Sequence, residues 1–99
     1  MSYKVRYTLA AKEDMKRLFT FLAEKDYQSV KPARKTIAAS IKLLEQFPFT
    51  CRKADCDNTY LRELVIPFGG AGYVALFEIE DNETVTVLAV RHQREEDYH

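Results

Sequence analysis

The last fifteen residues, Val85-Thr-Val-Leu-Ala-Val-Arg-His-Gln-Arg-Glu-Glu-Asp-Tyr-His99, hold the densest set of side chains able to do chemistry. Apolar residues alternate as in a strand, and then Arg91, His92, Arg94 and Tyr98 follow within eight positions. An imidazole can exchange protons near neutral pH, and guanidinium groups can grip phosphate or carboxylate with two parallel hydrogen bonds. Burying such groups without partners costs several kcal/mol, so they are expected at the rim of a sheet, facing water or a ligand. Each also has a plainer use. His92 can hydrogen-bond loop backbone at a strand end, and Arg91 and Arg94 can pair with Glu95, Glu96 or Asp97. Tyr98 and His99 can be a frayed tail. Arg62 and Glu63 join the candidates, although alternation in a strand sends adjacent side chains to opposite faces, so the two cannot share one groove.

The elements that must position these groups are legible from periodicity. Residues 3–7 read as a strand with Tyr3, Val5 and Tyr7 on one face. Thr8 can cap a helix over about residues 9–25, whose stripe is Ala11, Met15, Leu18 and Leu22, widened by Phe19. Ser29 can cap a second helix with Pro32 in its first turn. Ala33, Ile37, Ile41 and Leu44 form its stripe, Phe47 follows, and Pro48 stops it. The short link predicts a helical hairpin. Lys31, Arg34, Lys35 and Lys42 give the second helix a basic face.

A loop over about residues 48–59 then leads to strands near 60–66, 73–80 and 84–92. Pro67-Phe-Gly-Gly-Ala-Gly72 joins the first pair and Asp81-Asn82 offers a tight turn for the second. The glycine run lacks the Lys-Ser/Thr of a phosphate-binding loop and precedes a strand, so it reads as a connection with positive backbone φ. In the middle strand Tyr73, Ala75, Phe77 and Ile79 share one face, with Val74 and Leu76 on the other. Apolar residues on both faces place it centrally. The expected fold is α+β, in the order β-α-α-β-β-β, with a helical hairpin on a mainly antiparallel four-stranded sheet.

Ninety-nine residues make one domain, 1–99. No apolar run approaches the ~18 residues that cross a bilayer, and the N-terminus has no signal-peptide core, so a cytoplasmic protein without membrane partners is expected. Net charge is zero, yet residues 1–53 hold 12 Lys/Arg against 5 Asp/Glu, and residues 54–99 hold 3 against 10. A basic half suits an acidic partner, while overall neutrality argues against indiscriminate or direct sequence-specific DNA binding. Cys51 and Cys56, with two distant histidines, make a poor zinc site. Free thiols are the favoured reading, and neither metal nor cofactor is expected.

The element order, closed by Arg-His-x-Arg, resembles the ParE/RelE superfamily of bacterial toxin–antitoxin toxins. The carriers are the helical hairpin through Glu45-Gln-Phe-Pro48, the Leu61-Arg-Glu-Leu-Val strand, Gly72-Tyr-Val-Ala-Leu-Phe77 and Val87-Leu-Ala-Val-Arg-His92. The resemblance implies one of two activities: RelE-like cleavage of mRNA on the ribosome, or ParE-like inhibition of DNA gyrase by binding. The RelE-like pattern has a basic residue directly after the tyrosine of the middle strand. Here Val74 follows Tyr73, which favours the ParE-like, non-enzymatic branch of this superfamily of plasmid stabilisation proteins. On that reading Arg62, Arg91, His92 and Arg94 bind the target, and Lys31, Arg34, Lys35 and Lys42 bind the cognate antitoxin. A nuclease would draw on Arg62, Glu63, His92, Arg94 and Tyr98, with ribosome and mRNA as partners. A third possibility is a non-toxic partner of antitoxin in autoregulation.

Overall fold

A computed structural model of the chain describes residues 2–95 and 98. Glu96, Asp97 and His99, to which part of the tail reading refers, lie outside the described residues. Five strands form one sheet: β1 (Lys4–Tyr7), β2 (Arg52–Asp55), β3 (Asn58–Phe68), β4 (Ala71–Ile79) and β5 (Thr84–His92). Their order across the sheet is β1-β5-β4-β3-β2, with β1 parallel to β5 and the other neighbours antiparallel. Helices α1 (Leu9–Lys25) and α2 (Val30–Lys42) cover one face, α1 against β5 and α2 against β3. No helix among the described residues is long and apolar enough to cross a membrane.

Local chemistry explains most boundaries. The Thr8 hydroxyl accepts the Ala11 amide at 3.1 Å, so α1 begins where its cap predicts. Ser29 behaves otherwise: a single 3₁₀ turn over Tyr27–Ser29 links the helices, and the Ser29 hydroxyl bonds the Asp26 carboxylate at 2.6 Å instead of capping α2. Ala33, Ile37 and Ile41 are buried as their spacing requires, and Leu44 continues the stripe through a 3₁₀ turn. Phe47 leaves the stripe and is 58% exposed, because backbone φ and ψ depart from helix there before Pro48.

The fifth strand lies inside the segment expected to be loop. Arg-Lys-Ala-Asp carries no apolar alternation, so nothing local marks it; pairing with β3 makes it a strand. β3 runs on to Phe68, which leaves only Gly69 and Gly70 to turn the chain. Gly69 adopts φ +61°, as the first central residue of a two-residue hairpin of the II′ kind requires. The last turn is wider than Asp81-Asn82 alone: Glu80 to Glu83 connect the strands, and the Asp81 carboxylate accepts the Glu83 amide at 2.8 Å.

One irregularity decides what faces where. Leu76 pairs with Ala89, but Phe77 pairs with Val87, so Leu88 is an extra residue, a β-bulge. Val85, Val87 and Val90 therefore all enter the core with Phe77, Ala75 and Ile79. Beyond the end of β1, the outer backbone groups of β5 have no neighbouring strand. The start of α1 serves them instead. The Thr8 hydroxyl donates to the Leu88 carbonyl at 3.1 Å, and the buried Asp14 carboxylate accepts the Val90 amide at 3.0 Å.

Three substitutions, followed by thermal or urea unfolding, test these contacts. A Cβ at Gly72 would overlap the Ile66 carbonyl oxygen, whereas Gly70 faces open space. Gly72→Ala is expected to cost about 1–3 kcal/mol and Gly70→Ala to be nearly neutral. Asp14→Ala leaves the Val90 amide buried without its acceptor and is expected to cost about 1–3 kcal/mol.

Candidate functional site

The bulge separates the C-terminal cations. From Val87, strict alternation would send Arg91 toward the helices; the additional residue at 88 sends His92 there instead. His92 lies opposite Tyr73, with ring centroids 5.7 Å apart and edges crossed, and its Nδ1 accepts the Arg94 amide at 3.1 Å. Arg91 lies opposite Val74 on the outer face. Four residues read from sequence as one rim are thus divided between two surfaces.

Arg62 belongs to neither. It shares the inner face with its register partner Phe77 and is 9% exposed. Its Nε donates to the Thr59 carbonyl at 2.7 Å, and its Nη1 to those of Phe49 and Cys51 at 3.1 and 2.8 Å. The guanidinium also stacks against Phe49 at 5.3 Å. Expected at the target-binding rim, Arg62 instead ties the segment before β2 to β3. A buried cation needs such a set of acceptors, and a ligand could reach it only by breaking them.

The outer face gathers Glu63, Arg52, Arg91 and Tyr98 around Val74. Arg52 Nε meets the Glu63 carboxylate at 2.9 Å, across the strands in direct register. The Tyr98 hydroxyl donates to the other oxygen of Glu63 at 2.6 Å, and the Arg91 guanidinium sits 5.2 Å from the Tyr98 ring centroid. Tyr98 is docked, not frayed. Arg91 Nη1 donates to backbone, at 2.7 Å to the Glu95 carbonyl, while Arg17 takes the Glu95 carboxylate at 3.3 Å. Val74 lies under this cluster at 2% exposure. Burial, with the adjacent Glu63 carboxylate, pushes the Tyr98 phenol well above its ordinary value. In this cluster Arg52 and Glu63 form an ion pair, whereas Arg91 is held by backbone carbonyls and its buried Nε has no partner among the described residues. The carboxylate and phenol satisfy one another, and the centre of the cluster is a buried methyl-bearing side chain.

Arg52 was missed from sequence, because only the β2–β3 register brings it to Glu63. The basic face of α2 stands as periodicity placed it. Lys31, Lys35 and Lys42 are exposed away from the buried stripe, and Arg34, exposed at its flank, lies 4.9 Å from the Phe19 ring of α1. Cys51 and Cys56 are free thiols. Burial raises the Cys51 thiol above its ordinary value. Asp55, Cys56 and Asp57 hold ligand atoms within 4.8 Å at the exposed β2–β3 turn. The Asp55 carboxylate there already accepts the Asp57 amide at 2.9 Å, an ordinary turn bond.

The Tyr98 contact makes a signed prediction. A phenol whose folded pKa is raised stabilises the fold fully below its unfolded value, near 10, and that contribution is lost as pH rises beyond it. Tyr98→Phe is expected to cost about 1 kcal/mol at neutral pH. In chemical unfolding, the gap between variant and parent should close progressively above pH 10.

Comparison with known proteins agrees with this architecture. No curated protein matches the chain. The solved structure described as the chromosomal ParDE TA system from P. aeruginosa superposes with a TM-score of 0.73 at 14% identity, covering 92% of this chain and 96% of that one. At that identity the likeness is one of fold. The family model described as ParE toxin of type II toxin-antitoxin system, parDE, matches residues 5–97. This chain therefore belongs to the ParE toxin family of type II toxin–antitoxin systems.

Proposed function

We propose that this ParE-family toxin acts by binding DNA gyrase and is neutralised by a cognate antitoxin, without catalysing a reaction. The observation that carries the reading is Val74. It sits at the centre of the outer-face cluster, 2% exposed, where phosphate chemistry needs a cation aimed at developing charge. Around it, Glu63 is held by Arg52 and Tyr98, and Arg91 is turned to backbone carbonyls. Of the other residues a nuclease would recruit, Arg62 is enclosed among carbonyls and His92 faces the helices. Among the candidate residues, exposed cations lie on two surfaces. Lys31, Arg34, Lys35 and Lys42 on α2 suit acidic residues of the antitoxin, and Arg94, beside His92, suits the target.

One observation favours the second reading, an mRNA interferase: Glu63, Arg52, Arg91 and Tyr98 do share one face, a carboxylate, a phenol and two cations within reach of each other. Proton transfer there would first require the Tyr98–Glu63 bond to open.

Induction without antitoxin, with plasmid supercoiling and transcript integrity followed over time, separates the two. The expected result is growth arrest with loss of negative supercoiling while transcripts stay intact. Cleaved transcripts preceding any supercoiling change would transfer the assignment to the outer-face cluster. Unimpeded growth with folded protein accumulating would favour a partner in autoregulation alone.

A further inference from the structure

A concavity lies on the helix side, apart from both the basic face of α2 and the outer-face cluster. It is a groove of about 760 Å³ between the C-terminal half of α1, the β3–β4 hairpin tip and the turn after β5. That volume falls within the ~300–1,000 Å³ typical of sites for small organic ligands. Its floor is apolar and largely aromatic: Leu18, Phe21 and Leu22 on one side, Phe68 and Tyr73 on the other. Phe68 and Tyr73 lie 6.4 Å apart, and the His92 edge closes the end beyond Tyr73. Phe21 is 57% exposed, so apolar surface is open to an occupant.

The rim is cationic, and its cations differ in how far they are already engaged. Arg17 is neutralised by Asp14 at 3.8 Å and Glu95 at 3.3 Å. Lys25 and Arg94 also border the groove, and among the described residues neither has a carboxylate within ion-pair distance. The Lys25 ammonium sits 5.0 Å from the Phe21 ring centroid, directly above the apolar floor. An apolar slot with two uncompensated cations at its mouth matches a ligand with an apolar body and an anionic head. A neutral ligand would leave the cations unused, and a hydrophilic anion would leave the floor wet.

We propose that this groove binds a small apolar anion, an aromatic or acyl body carrying one carboxylate, sulfonate or phosphate group, with Lys25 and Arg94 as the head-group residues and Phe21 and Tyr73 as the floor. The proposal goes beyond the toxin reading and does not depend on the identity of the target.

Two dyes test it on the intact chain. Anilinonaphthalene sulfonate has the required aromatic body and anionic head, and phenylnaphthylamine is the same skeleton without the sulfonate. The sulfonate should bind saturably at one site and shift the Gly69 and Gly70 amide resonances. The uncharged analogue should bind about tenfold more weakly. Lys25→Met combined with Arg94→Met, both exposed, should lower the sulfonate affinity about tenfold and leave the analogue unaffected. Phe21→Ser should weaken both dyes, with circular dichroism confirming the fold in each variant. Equal affinity for the two dyes, or resonance shifts confined to the exposed Phe47–Phe49 region, would overturn the proposal. So would the lack of saturable binding, which would leave the groove to a segment of a protein partner.

Discussion

Backbone polar groups buried in a core must be paired, and in this chain β5 cannot meet that demand with strands alone. Its partner β1 ends at Tyr7, opposite Val87, while β5 continues for five more residues. The first two turns of α1 complete the pairing. Thr8 is at once the helix cap and the donor to Leu88, and Asp14 spends a buried carboxylate on the Val90 amide. This joint holds the bulge at Leu88, docks α1 on the sheet and sets the orientation of every side chain beyond it. The inner position of His92, the outer position of Arg91 and the groove beside Tyr73 all follow from that arrangement.

Charge is segregated in sequence, and the fold turns that asymmetry into separate surfaces. Most of the basic first half forms the helical layer and exposes its lysines along α1 and α2, while the acidic second half supplies most of the sheet and its turns. Where acidic and basic side chains meet on the sheet they pair. Glu80 is held below the usual carboxylate range by the Thr86 hydroxyl and then by Arg6, and Glu63 is paired with Arg52. Exposed pairs of this kind contribute little to stability, but they occupy the charges that chemistry would need. On the helix side, Lys31, Lys35 and Lys42 are exposed and form no ion pair among the described residues, so an acidic partner can use them.

The ParE assignment and the placement of side chains bear on each other through Val74. A hydrophobic residue there is compatible with a central strand whose outer face is covered by Tyr98 and Arg91, and such a covered face is a poor cleft for RNA. The same fold with a cation at that position would carry an unpaired charge under the tail unless the tail moved aside. Packing therefore favours a hydrophobic residue at this position.

Much of this architecture is legible in the sequence. The extent of α1 followed from Thr8 and a 3.6-residue stripe, and the central strand from apolar residues on both faces. The basic ridge of α2 followed from periodicity, since each signal is written in neighbours along the chain. β2 was not legible, because Arg-Lys-Ala-Asp has no pattern of its own and becomes a strand only beside β3. Arg62 looked like a surface cation because nothing local reveals the three carbonyls that enclose it. By itself the sequence determined both helices, four of the five strands and the family. Only tertiary structure decided which chemical groups meet, because one additional residue in β5, held by a distant helix, reverses the alternation on which any reading of strand faces depends.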